Sequence, residues 1–242
     1  MPPAQTAVEA RAHRLPRGPY AISPEAVAAD QRRRLLEALP LLVAEAGFES
    51  ATVGKIARRA GVSPGSFYEQ FADKRECFAV AYEEAQERLL GVLTLQCYMR
   101  GTLDERVERA LEAGLELLAA EPHLAKLLAV EAPAAGGEIA VRHYEWLERY
   151  GRMLRLAALG AERRGAPPAA VESGIAGGIA SQIASRAMRG ETDSLRGLAP
   201  QLSRYVLSFF GAPAAEPESV PRSALPQPQS PLRVPAAEPA VA

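Results

Sequence analysis

The stretch from Thr52 to Phe71, TVGKIARRAGVSPGSFYEQF, confines this chain to few folds. Ile56, Ala57 and Ala60 set an apolar face at helical spacing. Gly61 follows where a left-handed residue closes a helix, since glycine has no Cβ to clash, and Val62 plugs the corner. Ser63 supplies an N-cap oxygen, and Pro64 takes the first helical position, where its missing N–H has no partner to lose. Phe67 and Phe71, four apart, anchor the second helix on a core. The pattern is a helix-turn-helix whose second helix fits a DNA major groove. Its leading residues Ser63, Pro64, Gly65 and Ser66 are small, which lets backbone amides approach base edges and phosphates. A hairpin buried in an ordinary all-α core has the same spacing, so the motif alone leaves both readings open.

The surrounding residues extend the pattern. Gly47 and Phe48 follow an alanine- and leucine-rich helix, then come Thr52, Ile56 and Ala57. Ala60-Gly61-Val62-Ser63, Gly65, Tyr68, Phe71, Lys74 and Phe78 complete it. On these residues the segment from about Gln31 to Phe78 resembles the N-terminal domain of the TetR family of one-component transcriptional repressors. The resemblance implies an all-α fold of about nine helices, a three-helix DNA-binding head joined through a fourth helix to a ligand-binding and dimerisation body. It also implies that Tyr68 reaches a phosphate oxygen and that Lys74 contacts phosphate. Two positions depart from the family. Pro40 sits inside the first helix and predicts a kink or a late start. Glu69 stands where the family often has an aromatic or basic residue; it faces solvent or accepts from a cytosine amine.

Charge bounds the nucleic-acid footprint. The chain has a formal net charge of −1, which argues against a broadly basic coat. Residues 1–78 hold 11 Lys and Arg against 9 Asp and Glu, and the remainder 17 against 20. A slightly basic head on a slightly acidic body suits a local DNA contact. Cys77 and Cys97 fall on one expected helix, too far apart for a disulfide, which needs Cα atoms within about 7 Å. Residues 1–22 lack the apolar core of a signal peptide, and no apolar run approaches the roughly 20 residues of a membrane span. The expected compartment is the cytoplasm, with no membrane partner.

Four regions follow in order. Residues 1–22 read as a disordered arm, either simply solvated or a basic strand (Arg11, Arg14, Arg17) that follows DNA phosphates. Residues 23–78 form the helix-turn-helix domain. Ser23-Pro24-Glu25 starts its first helix, on which Arg32, Arg33 and Arg34 meet DNA backbone or face solvent. Thr52, Lys55, Ser63, Pro64, Gly65, Ser66, Tyr68 and Lys74 are the candidate DNA contacts. Residues 79–210 form the body. Its helices span about 74–99, with Glu83, Glu84 and Glu87 on a solvated side, then a stretch opened by the Thr102/Glu105 capping box, then a short helix from Pro122. Pro133 to Gly137 reads as a loop, with further helices over about 138–164 and 168–189 and a last one ending near Phe209. Residues 211–242, with eight prolines and eight alanines, read as a disordered tail.

Two expectations concern the body. Tyr98, Met99, His123, His143, Trp146, Tyr150 and Met153 combine apolar bulk with polar tips and are candidates to line an effector pocket, although each also reads as ordinary core. The faces carrying them hold few charges, which points to a mainly apolar small molecule. Gly174, Gly178, Ser181 and Ser185 make a smooth stripe on one helix, and Leu198, Leu202, Tyr205 and Phe209 an apolar face on the next. The resemblance assigns both to a homodimer interface; tight packing within one subunit is the other reading. His13, His123 and His143 are scattered, neither cysteine joins them at ligand spacing, and no phosphate loop or nucleophile elbow occurs. No catalytic residue, metal or cofactor is expected. The expected partners are a palindromic double-stranded operator, a small-molecule effector and a second copy of the chain.

Overall fold

The first helix is set by its ends. Ser23 Oγ accepts from the Ala26 amide at 3.1 Å, Pro24 occupies the first position, and Gly47 closes the helix at φ +79°. The computed structural model describes residues 23–159 and 167–210. Among these the elements are all helical: α1 (Pro24–Ala46), α2 (Val53–Ala60), α3 (Pro64–Tyr68), α4 (Lys74–Cys97) and α5 (Leu103–Ala120). Then come α6 (Pro122–Lys126), a π-helical turn over Leu127–Glu131, α7 (Ala132–Ala134), α8 (Gly137–Ala158) and α9 (Ala169–Arg189). A 3₁₀ segment, Thr192–Leu198, leads into α10 (Ala199–Ser208). The expected arm and tail, and the end of the helix expected over 138–164, lie outside the described residues.

Pro40 does not interrupt α1, which runs through it with the proline ring buried on the head core. Pro133 is likewise inside a helical turn and not in a loop, because the π turn carries the chain on into α7. The head core is α1, α2 and α3 closed around Leu35, Leu39, Ile56, Phe67 and Phe71, all nearly inaccessible to solvent. Phe48 stacks edge-on against Phe78 of α4 at 4.8 Å and extends that core towards the body.

In the body, α4 packs on α5, α8 on α9, and both α10 and the 3₁₀ segment on α5. At Gly151 α8 lies against the backbone of α9, and a Cβ there would be 2.9 Å from the Glu172 carbonyl carbon. There the Arg155 guanidinium makes two bonds to the buried Glu172 carboxylate, at 2.6 and 2.7 Å. A buried carboxylate so paired fixes the register of α8 on α9.

Candidate nucleic-acid interface and internal cavity

The corner between α2 and α3 is built by local bonds. Gly61 adopts φ +66°, ψ 35°, and its N–H donates to the Ala57 and Arg58 carbonyls. The Val62 N–H reaches back to Ala57 O at 2.9 Å, so the last carbonyls of α2 are satisfied. Thr52 Oγ1 accepts from the Lys55 amide at 3.3 Å, and Ser63 Oγ from the Ser66 amide at 3.0 Å. The two serine hydroxyls also share a hydrogen bond at 3.0 Å.

The candidate DNA contacts divide into two groups. Thr52, Lys55, Ser63, Pro64 and Gly65 are exposed, Ser66 is half-buried, and Tyr68 is 60% exposed although its ring edge meets Phe67. Lys55 Nζ meanwhile donates to the Ser50 carbonyl at 2.9 Å. Lys74 is turned inward: its ammonium donates to the Phe48 and Glu49 carbonyls at 3.1 and 3.3 Å and lies 4.4 Å from the Phe48 ring centre. Its geometry is that of a strut under the head. Two arginines expected to face DNA or solvent are also taken up internally. Arg32 donates to Gln70 O at 3.1 Å and lies over the Phe71 ring, and Arg34 donates to Ala60 O and Gly61 O, both at 3.2 Å. Helix-end carbonyls need donors, and a long guanidinium on the neighbouring helix supplies them. Arg33 pairs with Asp30 and Glu37 at the surface. Glu69 is exposed at the end of α3.

A cavity of about 120 Å³ lies inside the body between α4, α5, the π turn, α8, α9 and α10. Leu89, Leu93, Leu111, Leu115 and Leu128 give much of its wall, with Ile179 and Ile183 opposite. Of the residues expected to line it, His143, Tyr150 and Met153 do so. Four do not. Tyr98 and Met99 lie beyond the last turn of α4 and are 59% and 53% exposed. His123 turns towards Glu121, at 3.6 Å, and Trp146 is buried with its Nε1–H donating to Glu83 at 3.1 Å. Glu83 and Glu87 are accordingly not simply solvated, since Glu87 pairs with Arg149 at 2.9 Å.

The sequence reading missed a buried polar chain at one end of the cavity. Tyr150 Oη donates to Gln86 Oε1 at 2.5 Å, Gln86 Nε2 donates to Tyr82 Oη at 2.6 Å, and Tyr82 Oη lies 3.2 Å from His143 Nδ1. Tyr82 and Gln86, four apart in α4, share a helical face, which is the one local signal for it. Burial holds the two phenols above their ordinary pKa, lowers that of His143, and pushes the Cys97 thiol up to about 11. Among the described residues the cavity wall is therefore uncharged.

The cavity and the head are joined by one segment. Leu128 and Ala129 of the π turn line the cavity. At its two ends, Lys126 Nζ donates to Ala44 O at 2.7 Å and Glu131 Oε2 accepts from the Phe48 amide at 3.0 Å. Arg75 also donates to Ala135 O, at 3.4 Å.

The residues expected at a dimer interface are split. Leu198 and Leu202 face inward, 6% and 7% exposed, because the 3₁₀ segment and α10 pack on α5. Gly178 is filled from within the subunit: a Cβ there would lie 2.5 Å from Tyr205 Oη. Ser185 accepts from Arg189 at 2.5 Å. Gly174 and Ser181 are exposed, Phe209 is 39% exposed with Tyr205 edge-on to it, and Met188 near the end of α9 is 65% exposed.

The described residues thus combine a helix-turn-helix head with a helical body that holds an apolar cavity. Residues 35–81 match the model for bacterial regulatory proteins of the tetR family. The chain is 24% identical over 121 residues to the fatty acid metabolism regulator protein of Bacillus subtilis (strain 168). That match covers 50% of this chain and 62% of the relative, so it spans less than two thirds of that protein. The fold is similar to the transcriptional regulator FadR from Bacillus subtilis in complex with stearoyl-CoA, with a TM-score of 0.64 and 19% identity over 73% of this chain and 97% of that one. It is also similar to SmeT, the repressor of the Stenotrophomonas maltophilia multidrug efflux pump SmeDEF, with a TM-score of 0.60 and 20% identity over 79% and 100% of the two chains. Among the described residues no helix is long and apolar enough to cross a membrane, and no group of three or more His, Cys, Asp or Glu is placed to hold a metal ion.

Proposed function

We propose that this protein is a homodimeric cytoplasmic repressor that occupies a palindromic operator and leaves it when a small, mainly apolar molecule enters the body cavity. The observation that carries the reading is the π turn, whose Leu128 and Ala129 face the cavity while Glu131 and the adjoining Lys126 hold the end of α1. A ligand that displaces the turn acts on the head through those two bonds, so ligand and DNA oppose each other through one coupling energy. The stearoyl-CoA of the B. subtilis neighbour shares with such a ligand only its apolar acyl chain.

In this reading Ser63, Pro64, Gly65 and Ser66 meet base edges, while Thr52, Lys55 and Tyr68 hold phosphates and give affinity and salt dependence. Lys74 acts from behind by bracing the Phe48 turn. Domain limits at 23–78 and 79–210 follow from the same division of labour. Gly174, Ser181, Met188 and Phe209 form the outward face on which a second subunit packs, and dimerisation sets the spacing of the two half-sites. An architectural DNA-binding protein without effector is the alternative, and a leucine-lined chamber gives no support to it.

Selection of duplexes from a randomised pool, with mass measurement of the free protein, tests the reading. A dimer that enriches an inverted repeat supports it; a monomer that retains no duplex in dilute salt overturns it.

A further inference from the structure

The polar chain at the cavity end has a direction. An amide nitrogen only donates, so Gln86 Nε2 gives a proton to Tyr82 Oη; of the two tautomers of His143, the one whose Nδ1 accepts gives the buried Tyr82 proton a partner, which the other would not. With Nδ1 accepting, the proton of a neutral imidazole is on Nε2. His143 is 7% exposed, lines the cavity, and makes no other hydrogen bond among the described residues. At the far end Tyr150, also on the wall, spends its proton on Gln86. Among the described residues the relay therefore leaves two donors on an otherwise apolar wall, the His143 Nε2–H and the second N–H of Gln86 Nε2, of which the imidazole is set by its neighbour's hydroxyl. A ligand oxygen that reaches a donor in this apolar wall gains a hydrogen bond sheltered from bulk water.

Charge and size narrow the ligand further. Among the described residues no Lys or Arg lines the cavity: Arg149 is held by Glu87, and Arg155 by Glu172. A carboxylate carried into this wall would be desolvated with no cation to meet it. The volume of about 120 Å³ is close to the ~150 Å³ engineered apolar cavity that takes up benzene.

Resting on the effector reading above, we propose that the cavity selects a compact, uncharged molecule, one ring or a short chain, whose single oxygen accepts a hydrogen bond from His143 Nε2. Tyr82 is then a positioning residue. It does not line the cavity, and it sets which imidazole nitrogen carries the proton.

The test is calorimetry of the full-length protein with four probes: acetophenone, ethylbenzene of similar shape but no oxygen, benzoate, and stearoyl-CoA. Acetophenone is expected to bind five- to tenfold more tightly than ethylbenzene, the worth of one neutral hydrogen bond. Benzoate is expected to bind at least a hundredfold more weakly than acetophenone. Tyr82→Phe is expected to erase the preference for acetophenone while leaving ethylbenzene affinity within twofold; Tyr150→Phe is the second variant should that protein fail to fold. Equal binding of acetophenone and ethylbenzene, or tighter binding of benzoate, overturns the proposal. Binding of stearoyl-CoA alone overturns it too but leaves an effector-controlled repressor standing. Failure of all four probes, to bind or to change operator affinity, overturns the proposal and the effector reading together.

Discussion

The Phe48 amide donates to Glu131 Oε2 at 3.0 Å, joining residues 83 positions apart in the chain. Phe48 also carries the Lys74 ammonium on its ring and carbonyl, so one short turn receives both the π turn and the start of α4. The turn leads directly into α2.

Glu131→Ala is expected to cost about 1–3 kcal/mol of stability, since it leaves a part-buried N–H unpaired. It is also expected to shrink the factor by which a bound ligand lowers operator affinity. Glu131→Gln keeps an acceptor and should retain most of both. Denaturant unfolding and operator binding with and without acetophenone measure the two effects. A full ligand response in Glu131→Ala would remove this bond from the coupling route.

Tyr68→Ala should leave stability within about 0.5 kcal/mol, because the side chain is largely exposed. It should weaken binding to specific and random duplex alike and reduce the salt slope by about 1 if the hydroxyl holds a phosphate. Ser66→Ala should change base preference more than salt slope. Titrations at two salt concentrations compare them, and identical behaviour of the two variants would contradict the assigned roles.

Gly151 and Gly174 should respond to alanine with opposite signs. A Cβ at Gly151 meets the Glu172 backbone at 2.9 Å, so α8 and α9 must separate, at about 1–3 kcal/mol. A Cβ at Gly174 meets nothing within 4 Å, and the better helix former should add up to about 1 kcal/mol to the folded subunit. Thermal unfolding reads both. Dimer dissociation of Gly174→Ala then reports whether the second subunit sits there.

Stability should fall as pH drops below 6.5. Burial lowers the folded-state pKa of His143 and, with Glu121 partly opposing, of His123. Between the ordinary value of 6.5 and the lowered one, the unfolded chain binds the extra protons, so unfolding is favoured as pH falls. His143→Gln should flatten the dependence of melting temperature between pH 7 and pH 5 by the share His143 carries. An unchanged slope in that variant would place the proton uptake elsewhere.

What could be read from the chain had its physical cause within a few residues. Gly61, Ser63 and Pro64 each act on a backbone neighbour no more than four positions away, so the corner was legible as spacing. The same holds for the Thr102/Glu105 capping box. Tyr98 and Met99 misled because α4 ends at Cys97, and beyond a helix end the periodicity no longer says where a side chain points. Arg32 and Arg34 misled because a surface charge and a capping donor have the same sequence appearance.

The sequence by itself determined the helical class, the turn that aims α3 and the apolar character of the body, since these follow from propensity, capping and periodicity. Only the tertiary structure decided which groups meet. Gln86 finds Tyr150 and Tyr82 finds His143 across 64 and 61 positions, Arg155 finds Glu172 across the α8–α9 contact, and the π turn falls between cavity and head. Such pairings depend on how helices cross, and the crossing is set by the summed packing of many side chains, a quantity that no local window contains.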